Sequence, residues 1–172
     1  PTARAQIFFM QWCPLPVHSQ YSILNSTIAL PSLIDKSVEM GYTSVGLTDN
    51  GNLYAAVDFQ KLAKKAGIKP IIGSKFNVSH DQHTNKSRVV GLPNASSLFL
   101  LAKDATGYKN LSILSSKAFL DGFYYVPRID LDLLERYKEG LVCLCGTLGS
   151  LLSFAQLERP DLLDPYFTTL QR

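Results

Sequence analysis

The sequence predicts an α/β fold, a mostly parallel sheet or barrel in which short strands alternate with amphipathic helices. Three observations predict it. Apolar runs of strand length alternate with longer stretches of helical spacing. Gly41 and Gly67 stand where two of the helical patterns stop. The chain has 172 residues, of which 46% are hydrophobic and 18% charged, with a mean hydropathy of +0.05, enough apolar material for one core with two buried layers.

Taken in order, residues 13–18 read as a strand ending at a polar turn. Leu30, Leu33, Ile34 and Val38 then have helical spacing, with Pro31 in the first turn and Gly41 as the stop. Residues 44–48 read as a second strand. A second helix is expected over 52–66, with Leu53, Ala56, Val57, Ala63 and Ala66 on one side and Gly67 at its end. Residues 68–78 carry a third strand, with a proline inside it. The polar stretch 79–93 reads as a loop or hairpin excursion. A strand at 98–102 follows, then a helix marked by Tyr108, Leu111, Leu114, Ser115 and Ala118. A short helix at 131–137, a strand at 140–145 and a helix at 151–157 complete the pattern, so that the whole chain reads as one domain, with 1–12 as a lead-in outside the core.

Composition excludes several classes. The net charge of +3 is too small to imply nucleic-acid binding, and Lys61, Lys64, Lys65 and Lys69 read as one solvated helix face. The three cysteines make neither a Cys-x-x-Cys pair nor a disulfide framework. Cys143 and Cys145 fall on one face of a strand, where thiols serve as small apolar fillers. A reducing cytoplasm is the expected compartment. No apolar run reaches the roughly 18 residues that span a membrane. The run from Ile7 to Met10 is too short for the core of an export signal.

His18, Asp49 and Lys75 fall at or near the ends of successive predicted strands, the edge where ligand sites form in parallel α/β architectures. His80 and His83 have the spacing of a turn chelate, but their surroundings are those of solvated loop histidines. Tyr124 and Tyr125 read as core or interface aromatics. No Ser-His-Asp arrangement, phosphate-binding glycine loop or base-stacking platform is present.

The motifs themselves are more specific. Val17-His18-Ser19-Gln20-Tyr21-Ser22 is similar to Val-His-Ser-x-Tyr-Ser, and Gly46-Leu47-Thr48-Asp49-Asn50-Gly51-Asn52-Leu53 to a Thr-Asp-His-Gly-Asn-Leu stretch. Ala66-Gly67-Ile68-Lys69-Pro70-Ile71-Ile72-Gly73, Gly107-Tyr108-Lys109-Asn110-Leu111 and Gly122-Phe123-Tyr124-Tyr125 with Pro127-Arg128-Ile129-Asp130 follow in the same order. Together these blocks resemble the PHP (polymerase and histidinol phosphatase) domain family, in the branch found in the α subunit of bacterial DNA polymerase III.

The resemblance implies a distorted (β/α)7-type barrel, incomplete in this chain. It implies a parent that is a replicative DNA-directed DNA polymerase with its own magnesium-dependent carboxylates elsewhere. Active relatives hold zinc or manganese with histidines and carboxylates, and a metal-bound water attacks a phosphoester. Carried over position by position, His18 matches a ligand and Asp49 matches a further one. Pro16, Asn50, Lys75 and Ser97 stand where donors belong, so four of the six matched positions are lost. The expected role is therefore a metal-free structural and docking module with no catalytic residue and no cofactor. Its expected partners are the remaining domains of the polymerase, a separate proofreading exonuclease subunit, and DNA through the parent protein, with no membrane. The alternative is a metal-dependent phosphoesterase or 3′–5′ proofreading exonuclease using His18, Asp49 and His80 or His83; a free-standing interaction module is a third possibility.

Two geometric expectations follow. With the metals gone, the Lys75 ammonium is expected within about 6 Å of Asp49, the range over which opposite charges interact strongly. Pro14 and Pro16 remove amide donors from one side of the strand at 13–18, so that side is expected to be unpaired, beside a gap in the barrel.

Overall fold

A computed structural model describes residues 12–146 and 149–171. Most of the expected 1–12 lead-in lies outside the described residues; Trp12 is exposed and packs edge-on against Tyr42. The elements run α1 (Leu30–Glu39), β1 (Ser44–Asn50), α2 (Ala56–Lys65), β2 (Lys69–Val78), β3 (Ser96–Ala102), α3 (Ala105–Leu120), β4 (Arg128–Ile129), α4 (Leu131–Arg136), β5 (Leu141–Leu144), α5 (Leu151–Glu158) and α6 (Leu163–Gln171). The two-residue β4 and the terminal α6 carry too little pattern to be read from the sequence.

The sheet is mixed rather than mostly parallel, with the order β1-β2-β3-β5, and β4 beside β2 beyond the end of β1. β1 and β4 run parallel to β2, whereas β3 is antiparallel to both β2 and β5. The reason is the connection at 79–95. A parallel return needs a crossover of a dozen or more residues, usually helical, whereas this polar excursion contains no helix and leads straight back along β2.

One face of the sheet is covered by helices in two clusters. Val45 and Leu47 pack against Leu30, Ile34, Phe59 and Ala63. Phe76, Val78, Leu98 and Leu100 pack against Leu111, Leu114 and Ala118. Helix α2 begins at Ala56, later than expected, because Asn52 is used to bond the carbonyls of Tyr21 and Asn50. Its buried side is Ala56, Phe59 and Ala63, whereas Val57 and Ala66 are exposed. The four lysines of this region are all exposed, as a solvated face requires.

Residues 13–18 do not form a strand. They lie beside β1, which donates from Gly46 to Pro14 O at 2.7 Å and from Thr48 to Val17 O at 2.7 Å. Pro14 and Pro16 cannot donate, and the Val17 amide turns back to Leu15 O, so no ladder propagates. Among the described residues β1 is the only strand this segment bonds. Its approach to β1 demands glycine at 46: a Cβ there would sit 2.4 Å from the Leu15 carbonyl oxygen.

Candidate functional site

Register decides which of the predicted site residues can meet. In β1 and β2, Asn50 is opposite Lys75 and Asp49 is opposite Ser74. In β2 and β3, Lys75 is opposite Phe99 and Asn77 opposite Ser97. Side chains alternate along a strand, so Thr48, Asn50, Lys75, Asn77, Ser97 and Phe99 share the face away from the helices. β3 runs backwards, which brings Ser97, near its start, to the same edge as the ends of β1 and β2. His18 reaches this face from the neighbouring segment, its ring lying nearly parallel to Phe99 at 6.1 Å between centroids, and the Lys75 Nζ lies 5.9 Å from the centre of the same ring.

Asp49 is on the other face, so the expected Asp49–Lys75 pairing is not formed. Its carboxylate is buried and fully engaged. Oδ1 accepts from the Ser19 amide at 2.7 Å and the Ser22 hydroxyl at 2.6 Å, and Oδ2 accepts from the Ser19 hydroxyl at 2.7 Å. Ser22 Oγ in turn accepts from the Asn50 amide, and Ser74 Oγ donates to the Asp49 carbonyl. Three donors satisfy the buried carboxylate oxygens, in place of the Lys75 cation expected there. The Ser-x-x-Ser spacing of residues 19 and 22 was the available signal for this clasp.

His18 Nδ1 lies 2.5 Å from the Thr48 carbonyl oxygen and must donate to it, which leaves Nε2 as the basic nitrogen. That is the arrangement of a metal-ligating imidazole. Pro16 is exposed on the covering segment and carries no donor atom. Among the described residues no three His, Cys, Asp or Glu side chains are grouped to share an ion.

The loop histidines are not solvated, contrary to expectation, and they do not converge. His80 is held by Tyr166 OH at 2.8 Å and Ser96 Oγ at 2.9 Å, against the ring of Phe154. His83 points to Asp130, with Nδ1 at 2.5 Å from Oδ2, and its amide donates to the same oxygen at 2.8 Å. Asp130 also caps α4 by accepting from the Leu133 amide. Burial works against the charged form of Asp130, yet the His83 ring, the His83 amide and the Leu133 amide outweigh it and hold the carboxyl below its usual range.

The residue the sequence pattern did not single out is Arg128. It is buried, and its guanidinium donates to Asn85 O at 2.6 Å, His83 O at 3.2 Å, Asn94 Oδ1 at 3.1 Å and Gly122 O at 3.2 Å, while stacking over Tyr124 at 5.0 Å. It thereby pins the 79–95 excursion to the sheet. Tyr124 is partly exposed and Tyr125 is 81% exposed with φ +60°, so neither is a core aromatic.

Burial, aided by Arg159, pushes the His80 imidazole down to about 4 from 6.5. Between those values the unfolded chain binds a proton that the folded chain does not. Stability is therefore expected to fall as pH is lowered from about 6.5 to about 4. Urea midpoints across that range, compared with those of His80→Gln, test this: the variant should lose part of the slope, and an unchanged slope would refute it.

A family model described as PHP domain matches residues 14–168. DNA polymerase III subunit alpha of Chlamydia pneumoniae is 44% identical over 174 residues, a match covering 94% of this chain and 14% of that protein. The subunit of the same name from Borreliella burgdorferi is 43% identical over 145 residues, covering 84% of this chain and 13% of that protein. Among solved structures, an amidohydrolase from Chromobacterium violaceum is similar at a TM-score of 0.43 and 18% identity, covering 61% of this chain and 34% of that one. The chain thus spans about a seventh of the length of the polymerase subunits it matches.

Proposed function

The chain belongs to the PHP domain family, and on that premise we propose that it is the PHP domain of a replicative DNA polymerase III α subunit, serving as a metal-free brace and docking module. The observation that carries the reading is the donor chemistry of the sheet face described above. Of Pro16, His18, Asn50, Lys75 and Ser97, only His18 offers a strong ligand atom, and the Lys75 ammonium stands among them. Asp49, the remaining carboxylate, faces the other way and is saturated by three donors. These residues do not fit a multi-metal centre, and a fixed positive charge opposes one.

In this reading nucleotide addition to a primed strand belongs to the rest of the subunit, with its own magnesium-binding carboxylates, in the bacterial cytoplasm. Proofreading belongs to a separate exonuclease subunit, and DNA is met through the parent protein. The phosphoesterase alternative is disfavoured because His80 and His83 are each tied to separate partners away from His18. A nuclease assay on single-stranded and primed DNA in manganese tests the proposal. No cleavage above buffer is expected; hydrolysis that disappears in the His18→Ala variant would overturn it.

A further inference from the structure

The two cysteines of β5 do more than fill space. Cys143 lies opposite Leu100 on the helix-covered face, and Cys145 follows one residue after the strand ends. Both are half-buried, and their Sγ atoms lie 3.2 Å apart. We propose that Cys143 and Cys145 form a reactive dithiol that reduces small-molecule disulfides of the glutathione class and closes to an intrachain disulfide.

The geometry gives each thiol a place. Residues i and i+2 of a regular strand are too far apart for an unstrained bridge, so one end must move. Cys145 is the end that can. It lies outside the β3–β5 ladder, whose last rung is Phe99 with Leu144, and the next residue is the exposed Gly146 at φ +111°. Cys143 is held by the ladder and lines a cavity of about 370 Å³ with Leu134, Lys138 and Leu170. The shared hydrogen bond favours the thiolate at Cys145, while the same hydrogen bond and burial push Cys143 up, so Cys145 attacks first.

The step balances as ordinary exchange. The Cys145 thiolate attacks one sulfur of RS–SR, forming Cys145–S–SR and expelling RS⁻. Cys143 then gives its proton to solvent and attacks the Cys145 sulfur, expelling the second RS⁻. The protein loses two electrons and two protons, and the small disulfide becomes two RSH. Because the bridge is strained it is readily reduced again, as labile disulfides are. Closure pulls on Leu144 and so on its rung with Phe99, the ring beneath His18 and beside Lys75.

The test uses the chain in a Cys13→Ser background, treated with oxidised glutathione and read by intact mass and peptide mapping. A loss of two hydrogens, about 2 Da, mapped to a 143–145 link is expected. Cys143→Ser should instead hold one glutathione at Cys145, and Cys145→Ser should react about ten-fold more slowly. A persistent glutathione adduct on the chain with both cysteines, or disulfide only between two chains, would overturn the proposal.

Discussion

Replacing Arg128 with alanine is expected to cost about 3–5 kcal/mol of folding stability, a large share of what holds a domain of this size together. The guanidinium bonds carbonyl or amide oxygens of His83, Asn85, Asn94 and Gly122, and among the described residues no carboxylate is bonded to it. Truncation leaves those acceptors short of donors in a partly buried place and removes the stacking on Tyr124. The excursion would lose the bonds that Arg128 donates to His83, Asn85 and Asn94 at once, and keep the Ser79 amide's bond to Ile129 O. Lysine should recover only a minor part, since one ammonium cannot reproduce a planar fork that reaches five oxygens. Urea unfolding measures this directly. A change below about 1 kcal/mol would mean that the excursion is held by something else.

Asp49→Ala is expected to cost about 3–4 kcal/mol, with the same loss in chelator and in excess manganese. Three buried donors, the Ser19 amide and the Ser19 and Ser22 hydroxyls, would lose their acceptor, and the 19–22 turn would lose its attachment to the end of β1. Asp49→Asn should recover little, because an amide offers one accepting oxygen where two are used and turns a donor toward donors. The serine variants should echo it: Ser22→Ala also removes the acceptor for the Asn50 amide. A destabilisation that appears only with divalent metal would instead make Asp49 a ligand.

These two residues show what the sequence pattern could and could not carry. Helices α1 and α3 and strands β1 to β3 were legible because burial imposes a period on each, and only their ends moved. The direction of β3 was legible in principle, since a polar excursion without helical spacing cannot make a parallel crossover. The strand at 13–18 failed because apolar character alone does not make a ladder when two of its donors are proline.

At the site, Asn50, Lys75 and Ser97 share a face with His18. Asp49 does not, and one residue of register is the whole difference. A single sequence does not say whether a carboxylate in Thr48-Asp49-Asn50 faces the open side or the helices; the buried serines decide it. Arg128 was hidden for another reason. Its partners are backbone carbonyls of a loop, which leave no trace in residue type. His80 and His83 were misread as solvated because their partners, Tyr166, Ser96 and Asp130, are distant in sequence.

The central claim is that the face bearing His18, Asn50, Lys75 and Ser97 no longer holds catalytic metals. The most direct measurement is elemental analysis of the purified chain after mild dialysis, repeated after incubation with zinc and manganese. The account predicts that no metal remains in stoichiometric amount under either condition. Two or more tightly held ions per chain, lost on His18→Ala, would contradict it.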